Sequence, residues 1–204
     1  MQAPSGQATA PALSALLSGG TLAGKWVLDP GASSVQLKNR SLAGLVQVSG
    51  VFREVSGYGT VAADGTVSGT LTIAAASVDT KNSRRDKHLR SADLFDAVTY
   101  PDITFTADGI RASGPGVADT GALTVRGRTG PLSFDAAATV TTAATAATAA
   151  VTAATAAVIT AGGREIWLDA EVIVDWASFG ITWNPLGLVS MNSTIVIHAV
   201  FTRR

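Results

Sequence analysis

A chain of 204 residues that is 47% apolar and only 15% charged can build one domain with extensions, and its surface must be rich in Thr, Ser, Ala and Gly. Lys plus Arg and Asp plus Glu both total 15, so no global field draws the protein to nucleic acid or to anionic lipid. The absence of Cys excludes disulfides, thiolate metal sites and a Cys nucleophile.

The N-terminus, MQAPSGQATAPALSALLSGG, has no Lys or Arg, and its apolar stretch ALSALL is short and interrupted by Ser. A secretory signal needs a basic start and a longer apolar run. The expectation is therefore a disordered or weakly helical tail over residues 1–23 of a cytoplasmic protein. No stretch has the hydrophobic bulk of an integral membrane span.

From Trp26 onward the side chains alternate. In VSGTLTI, Val67, Gly69, Leu71 and Ile73 share one face; in DITFTA, Ile103 and Phe105 oppose two threonines. In IWLDAEVIVD, Ile166, Leu168, Ala170, Val172 and Val174 share a face, and in TIVIHAVF so do Ile195, Ile197, Ala199 and Phe201. A period of two predicts half-buried strands. Asp64-Gly65 between two such runs predicts a hairpin with a type I′ turn. Short strands with glycine turns and no βαβ alternation predict an all-β antiparallel barrel or sandwich. The segment suited to a short helix is Ser83 to Phe95.

Residues 136–161 consist only of Ala, Thr, Val and Ile. Thr142, Thr145, Thr148, Thr152 and Thr155 step along one helix face, although each Thr costs roughly half a kcal/mol relative to Ala. A helix or a low-complexity insert in a hairpin loop fits the composition, since loops accept long insertions at small cost. A Thr-striped helix acting as a protective surface is the corresponding functional reading.

The most charged stretch is RRDKHLRSADLFD, residues 84–96, with one of the two histidines. Ser91, His88 and Asp86 or Asp93 have the residue types of a catalytic triad. Triads, however, are built from separated segments, and no G-x-S-x-G elbow surrounds Ser91. Asp86, Asp93 and Asp96 with His88 could ligate a metal, but Lys81, Arg84, Arg85, Lys87 and Arg90 crowd the same span and repel a cation. Interleaved charges and the lack of an aromatic strand argue against nucleic acid. A clasp remains, in which charge pairs worth about 0–1 kcal/mol each close over an apolar plug of Leu89, Leu94 and Phe95.

Four stretches resemble the YceI-like family of lipocalin-like polyisoprenoid-binding proteins. The opening strands contribute Asp29-Pro30, Ser34, Val35, Gly50, Phe52 and Ser56-Gly57. VDTKNSRRDKHLRSADLFDAVTYPDITF (residues 78–105) contributes the most specific run. RGRTGP (residues 126–131) and SFGITW (residues 178–183) follow. The similarity covers roughly residues 24–135 and 164–204. It departs at Trp176 and Ser178, where the family usually carries Arg and Asp, and the Ala/Thr tract has no counterpart.

The resemblance implies an eight-stranded antiparallel barrel over residues 24–204, with a short helix or loop at one mouth. It further implies non-enzymatic binding of an isoprenoid or other amphiphilic lipid, commonly by homodimers, with no cofactor and no metal. An eight-stranded barrel is wide enough for one slender ligand. Its cavity would be lined by Leu37, Phe52, Leu71, Ile73, Ile103, Phe105, Phe134, Leu168, Val172, Phe179 and Trp183. Arg85, His88, Arg90, Leu94 and Phe95 would form the mouth and meet a polar head group. Arg85 would pair with Asp86, and Arg90 with Asp93. The alternative is an enzyme acting on a lipid-like substrate through His88 and nearby Asp residues.

Overall fold

The computed structural model describes residues 15–41, 46–113, 116–142, 155–161, 165–184 and 189–204. Among the described residues twelve strands form one sheet. They are β1 (Gly24–Leu28), β2 (Ser34–Ser41), β3 (Val46–Phe52), β4 (Val55–Val61), β5 (Val67–Ala74) and β6 (Val78–Asp79). After the helix α1 (Ser83–Leu89) come β7 (Asp102–Ser113), β8 (Gly116–Val125), β9 (Arg128–Thr142), β10 (Thr155–Ala161), β11 (Glu165–Asp175) and β12 (Val189–Arg203). The order is β1-β4-β5-β7-β8-β9-β10-β11-β12-β2-β3-β6, and β1 also pairs with β12.

The all-β, mainly antiparallel expectation holds, whereas the eight-stranded closed barrel does not. The reason lies in β12. One edge of this long strand pairs with β11 from Asn192 to Thr202. The other bonds β2 between Val189 and His198 and then β1 between Phe201 and Arg203. The sheet therefore branches at β12, with β2, β3 and β6 on one branch, and twelve described strands stand in place of the expected eight. Its one parallel pairing among the described residues is β9 with β10.

That parallel pair falls in the Ala/Thr tract. Residues 136–142 and 155–161 are strands, so Thr142 and Thr155 do not belong to a helix. Threonine is β-branched, which lowers its preference for a helix and suits it to a pleated ladder. Thr145, Thr148 and Thr152 lie outside the described residues.

The alternation seen in the sequence sets the core. Leu71 and Ile73 of β5, Ala170, Val172 and Val174 of β11, and Ile195 and Ala199 of β12 are buried in one apolar cluster. On the opposite face of β11, Trp167 and Ile173 are exposed. A second, smaller cluster joins Leu17, Leu22, Trp26 and Val61. Residues 15–23, read from sequence as tail, thus pack on the sheet: Trp26 Nε1 donates to the Leu22 carbonyl at 3.0 Å, and the Arg203 guanidinium lies 5.4 Å from the Trp26 ring centre.

The expected type I′ turn sits elsewhere. At Asp64-Gly65 only Gly65 has positive φ (85°), and the Ala62 and Thr66 backbones close a three-residue loop in which Asp64 accepts from Thr66 N–H. At Arg126-Gly127 both residues have positive φ (50° and 68°), which makes this the two-residue type I′ hairpin between β8 and β9.

Leu22→Ala is expected to lower the unfolding free energy by about 3 kcal/mol in a urea titration, the usual cost of a core Leu truncation. An unchanged midpoint would place residues 15–23 outside the cooperative fold.

Candidate functional site

The charged stretch folds around one threonine. Asn82 caps α1, its Oδ1 accepting from Arg85 N–H at 3.0 Å. Asp86, in the first turn, is buried and accepts from Thr80 N–H at 2.9 Å and Thr80 Oγ–H at 2.6 Å. Arg85 donates from Nε to Thr80 Oγ1 at 2.7 Å and from Nη2 to the Thr80 carbonyl at 2.8 Å. Arg85 and Asp86 therefore meet through Thr80 and not through each other, as the helix backbone points neighbouring side chains apart. Arg90 likewise reaches the Val78 carbonyl at 2.7 Å, not Asp93.

A second anchor precedes the helix. Asp79 accepts from Arg53 Nη2 at 2.6 Å and Nε at 2.8 Å, and from Lys81 N–H at 2.8 Å. The Lys81 N–H bond, followed by the Arg53 guanidinium, holds the Asp79 carboxyl well below the usual carboxylate range.

The helix ends at Leu89, earlier than the sequence reading of Ser83 to Phe95, and a chain of turns follows. Phe95 N–H returns to the Leu89 carbonyl, and Asp96 N–H to that of Ser91. These turns drive Phe95 into the core, where its ring stands 6.0 Å from Phe52 and 5.5 Å from Trp176. Leu89 and Leu94 pack against the same cluster, so the expected plug is present.

The other motif stretches meet this one. Gly127 has a positive φ, and a Cβ there would come within 2.8 Å of the Tyr100 ring. Gly180 caps the turn Trp176–Phe179 in the left-handed region, with the Arg128 guanidinium against it. Trp183 meets His88 edge-on, ring centres 4.2 Å apart. Residues from 85–100, 126–131 and 176–183 thus converge at one end of the sheet.

Of the expected cavity residues, Leu37, Phe52, Leu71, Ile73, Ile103, Val172 and Phe179 are buried in the main cluster, and Phe105 and Leu168 pack against it. Trp183 does not line the interior: it is 39% exposed beside His88. The Phe134 side chain lies outside the described residues. A shallow open groove of about 420 Å³ crosses β8 and β9 over Thr120, Gly121, Ala122, Thr129, Gly130 and Pro131, and the rings of Phe105 and Phe179 lie against Gly121 and Gly130.

The catalytic arrangement is not assembled. Ser91 Oγ donates to the carbonyl of His88 at 2.7 Å instead of to its ring, and Asp93 lies 3.9 Å from His88 Nε2, beyond hydrogen-bond reach. Asp86 already accepts two bonds from Thr80. Among the described residues no three His, Asp or Glu side chains gather as a cation site.

Two polar groupings were missed by the sequence reading. His198 and Asp169 share a 2.6 Å hydrogen bond across β11 and β12. Trp176 Nε1 and Asn39 Nδ2 both donate to Ser193 Oγ at 2.7 Å, and Asn39 Nδ2 also reaches the Ser190 carbonyl at 3.0 Å. Asn39 was legible as an inward residue, two positions after Leu37 on an alternating strand.

Thr80→Val should destabilise the protein by about 2 kcal/mol, because the buried Asp86 carboxylate loses a donor; guanidinium unfolding measures it, and a near-neutral result would remove Thr80 as the anchor. Asp79, with its pKa depressed by folding, contributes stability above its unfolded value near about 4, and that contribution is lost as pH falls toward the folded value. Asp79→Asn should flatten the decline of stability below about pH 4. An unchanged acid profile would deny the Arg53–Asp79 anchor its role.

The YceI-like domain family matches residues 26–201. Protein YceI of Escherichia coli O157:H7 is 44% identical over 66 residues, which cover 32% of this chain and 35% of that protein, so the matching stretch spans about a third of that relative's length. BcnA of Burkholderia cenocepacia superposes with a TM-score of 0.67 at 21% identity, over 85% of this chain and 98% of BcnA. A polyisoprenoid binding domain from Saccharophagus degradans superposes with a TM-score of 0.65 at 15% identity, over 88% of this chain and 98% of that domain. With the motif stretches gathered at one end of a fold that these structures share, the chain belongs to the YceI-like family.

Proposed function

We propose that this protein binds an isoprenoid-type lipid, a quinone tail or a polyprenyl compound, without chemical turnover, and sequesters or carries it. The observation that carries this reading is the apolar interior ending at an aromatic stack. Inward rows from β2, β3, β5, β7, β11 and β12 form one cluster, and Phe52, Phe95 and Trp176 stand together where the motif stretches converge. A methyl-branched chain needs a lining without ions, and burial contributes about 25 cal/mol per Å² of apolar surface, so several isoprene units bind without any reactive group. Membership of the family and the likeness to a polyisoprenoid binding domain support the same ligand class.

The mouth suits admission better than catalysis. Its polar side chains hold backbone: Arg85 and Asp86 hold Thr80, and Arg90 holds Val78. His88 packs its ring on Trp183, where both can touch whatever enters. Loss of the His88 ring therefore removes a contact and leaves the interior unaltered.

Native mass spectrometry of the purified protein, with organic extraction of bound material, tests the reading. The expected result is a stoichiometric prenyl lipid, or uptake of an added ubiquinone or polyprenol, retained in His88→Ala. A clean apo mass with no uptake would mean that the side chains simply fill the interior. Lipid conversion that vanishes in His88→Ala would replace the carrier with an enzyme.

A further inference from the structure

We infer that the bound lipid presents a hydrogen-bond donor, a hydroxyl group, to Asn39 Oδ1 at the inner side of the mouth. This rests on the lipid-binding reading above. The argument is a count of donors and acceptors. A carboxamide has two N–H donors and one carbonyl acceptor. Both Asn39 donor bonds are made, to Ser190 O at 3.0 Å and to Ser193 Oγ at 2.7 Å. The first fixes the orientation of the amide, because a flipped amide would set Oδ1 against the Ser190 carbonyl. Ser193 Oγ already accepts from both Asn39 and Trp176. Asn39 Oδ1 is buried, and no donor among the described residues reaches it. A buried acceptor without a donor is costly, and native structures rarely leave one.

Its place points to a ligand. Asn39 follows Val35 and Leu37 on the inward row of β2 and lies opposite Ser193, itself two residues before the inward Ile195 of β12. Trp176, the third member, packs on Phe95 of the aromatic stack. The acceptor thus sits where an otherwise apolar interior reaches its mouth. A prenyl chain lying in the apolar cluster would bring its terminal group to this atom. A fully substituted quinone head offers only acceptors and would oppose Oδ1 with like charge. A prenyl alcohol, or a quinol, offers the missing O–H.

The test compares a long-chain prenyl alcohol, solanesol, with its methyl ether, which has the same chain and no donor. Binding of each to the full-length protein is measured by native mass spectrometry and by competition. The alcohol is expected to bind about tenfold more tightly, the scale of one buried acceptor satisfied, and Asn39→Leu, shown folded by circular dichroism, is expected to bind both alike. Equal binding by the wild type would overturn the donor inference and leave lipid binding standing. A preference that persists in Asn39→Leu would overturn the assignment to Asn39. Binding of neither compound would overturn the lipid reading itself and this inference with it. If Asn39→Leu does not fold, the wild-type ratio alone decides.

Discussion

The buried bond between Asp86 and Thr80 is the constraint on which the mouth depends. A helix of seven residues does not persist alone in water, since nucleation is costly and few backbone bonds repay it. Here the first turn is fastened from both sides of Thr80: Asp86 takes its N–H and hydroxyl, and Arg85 takes its hydroxyl oxygen and carbonyl. Thr80 directly follows β6, which pairs with β3. The helix is thereby tied to the end of the sheet. The following turns inherit that position and place Phe95 against Phe52 and Trp176. Without the bond, the charged stretch is a solvated loop and the aromatic stack has no central member.

This clarifies what the family-like motifs do. Tyr100 and Gly127, and Arg128 and Gly180, are pairs in which a glycine makes room for a large neighbour from a distant motif. Asp79 takes a two-pronged guanidinium from Arg53 at the end of β3. Most of these residues position elements. The residues best placed to meet a ligand are apolar and lie on ordinary strands. Charge density in a sequence marks where the chain needs fastening as readily as where it performs chemistry.

The inward rows of β5, β11 and β12 were legible because a period of two admits one assignment of faces wherever one face is buried. The plug of Leu89, Leu94 and Phe95 was legible for a different reason, as large apolar groups amid charges. Features that depend on distant partners were not. Nothing near Thr202 tells that β12 leaves β2 for β1. Asp64-Gly65 and Arg126-Gly127 are both competent turns, and which takes the two-residue form depends on strand register and on the Tyr100 ring packed over Gly127. The Thr spacing at 142 and 155 fits a helix as well as a strand, and the ladder between β9 and β10 decides it. Arg85 and Asp86 look like a pair in sequence because they are adjacent, which on a helix is the reason they are not.

Trp176 shows how these levels connect. The family pattern leads one to expect a charged residue here, and a buried charge would demand a partner. The indole supplies one donor, which Ser193 accepts, and a large ring, which packs on Phe95. Substituting an indole for a charge turns this corner from an ionic site into a neutral one. Among the described residues, the buried side-chain polar atom left without a hydrogen-bond partner here is Asn39 Oδ1. A neutral acceptor beside an aromatic ring discriminates by hydrogen-bond sense and not by charge, and it imposes little desolvation on an uncharged lipid head. Arg85 and Arg90 are directed to backbone carbonyls at the rim, while Arg126 and Arg128 lie against Gly180, beside the Trp176 turn. The neutral head group proposed above is the chemistry that this departure from the family pattern suits.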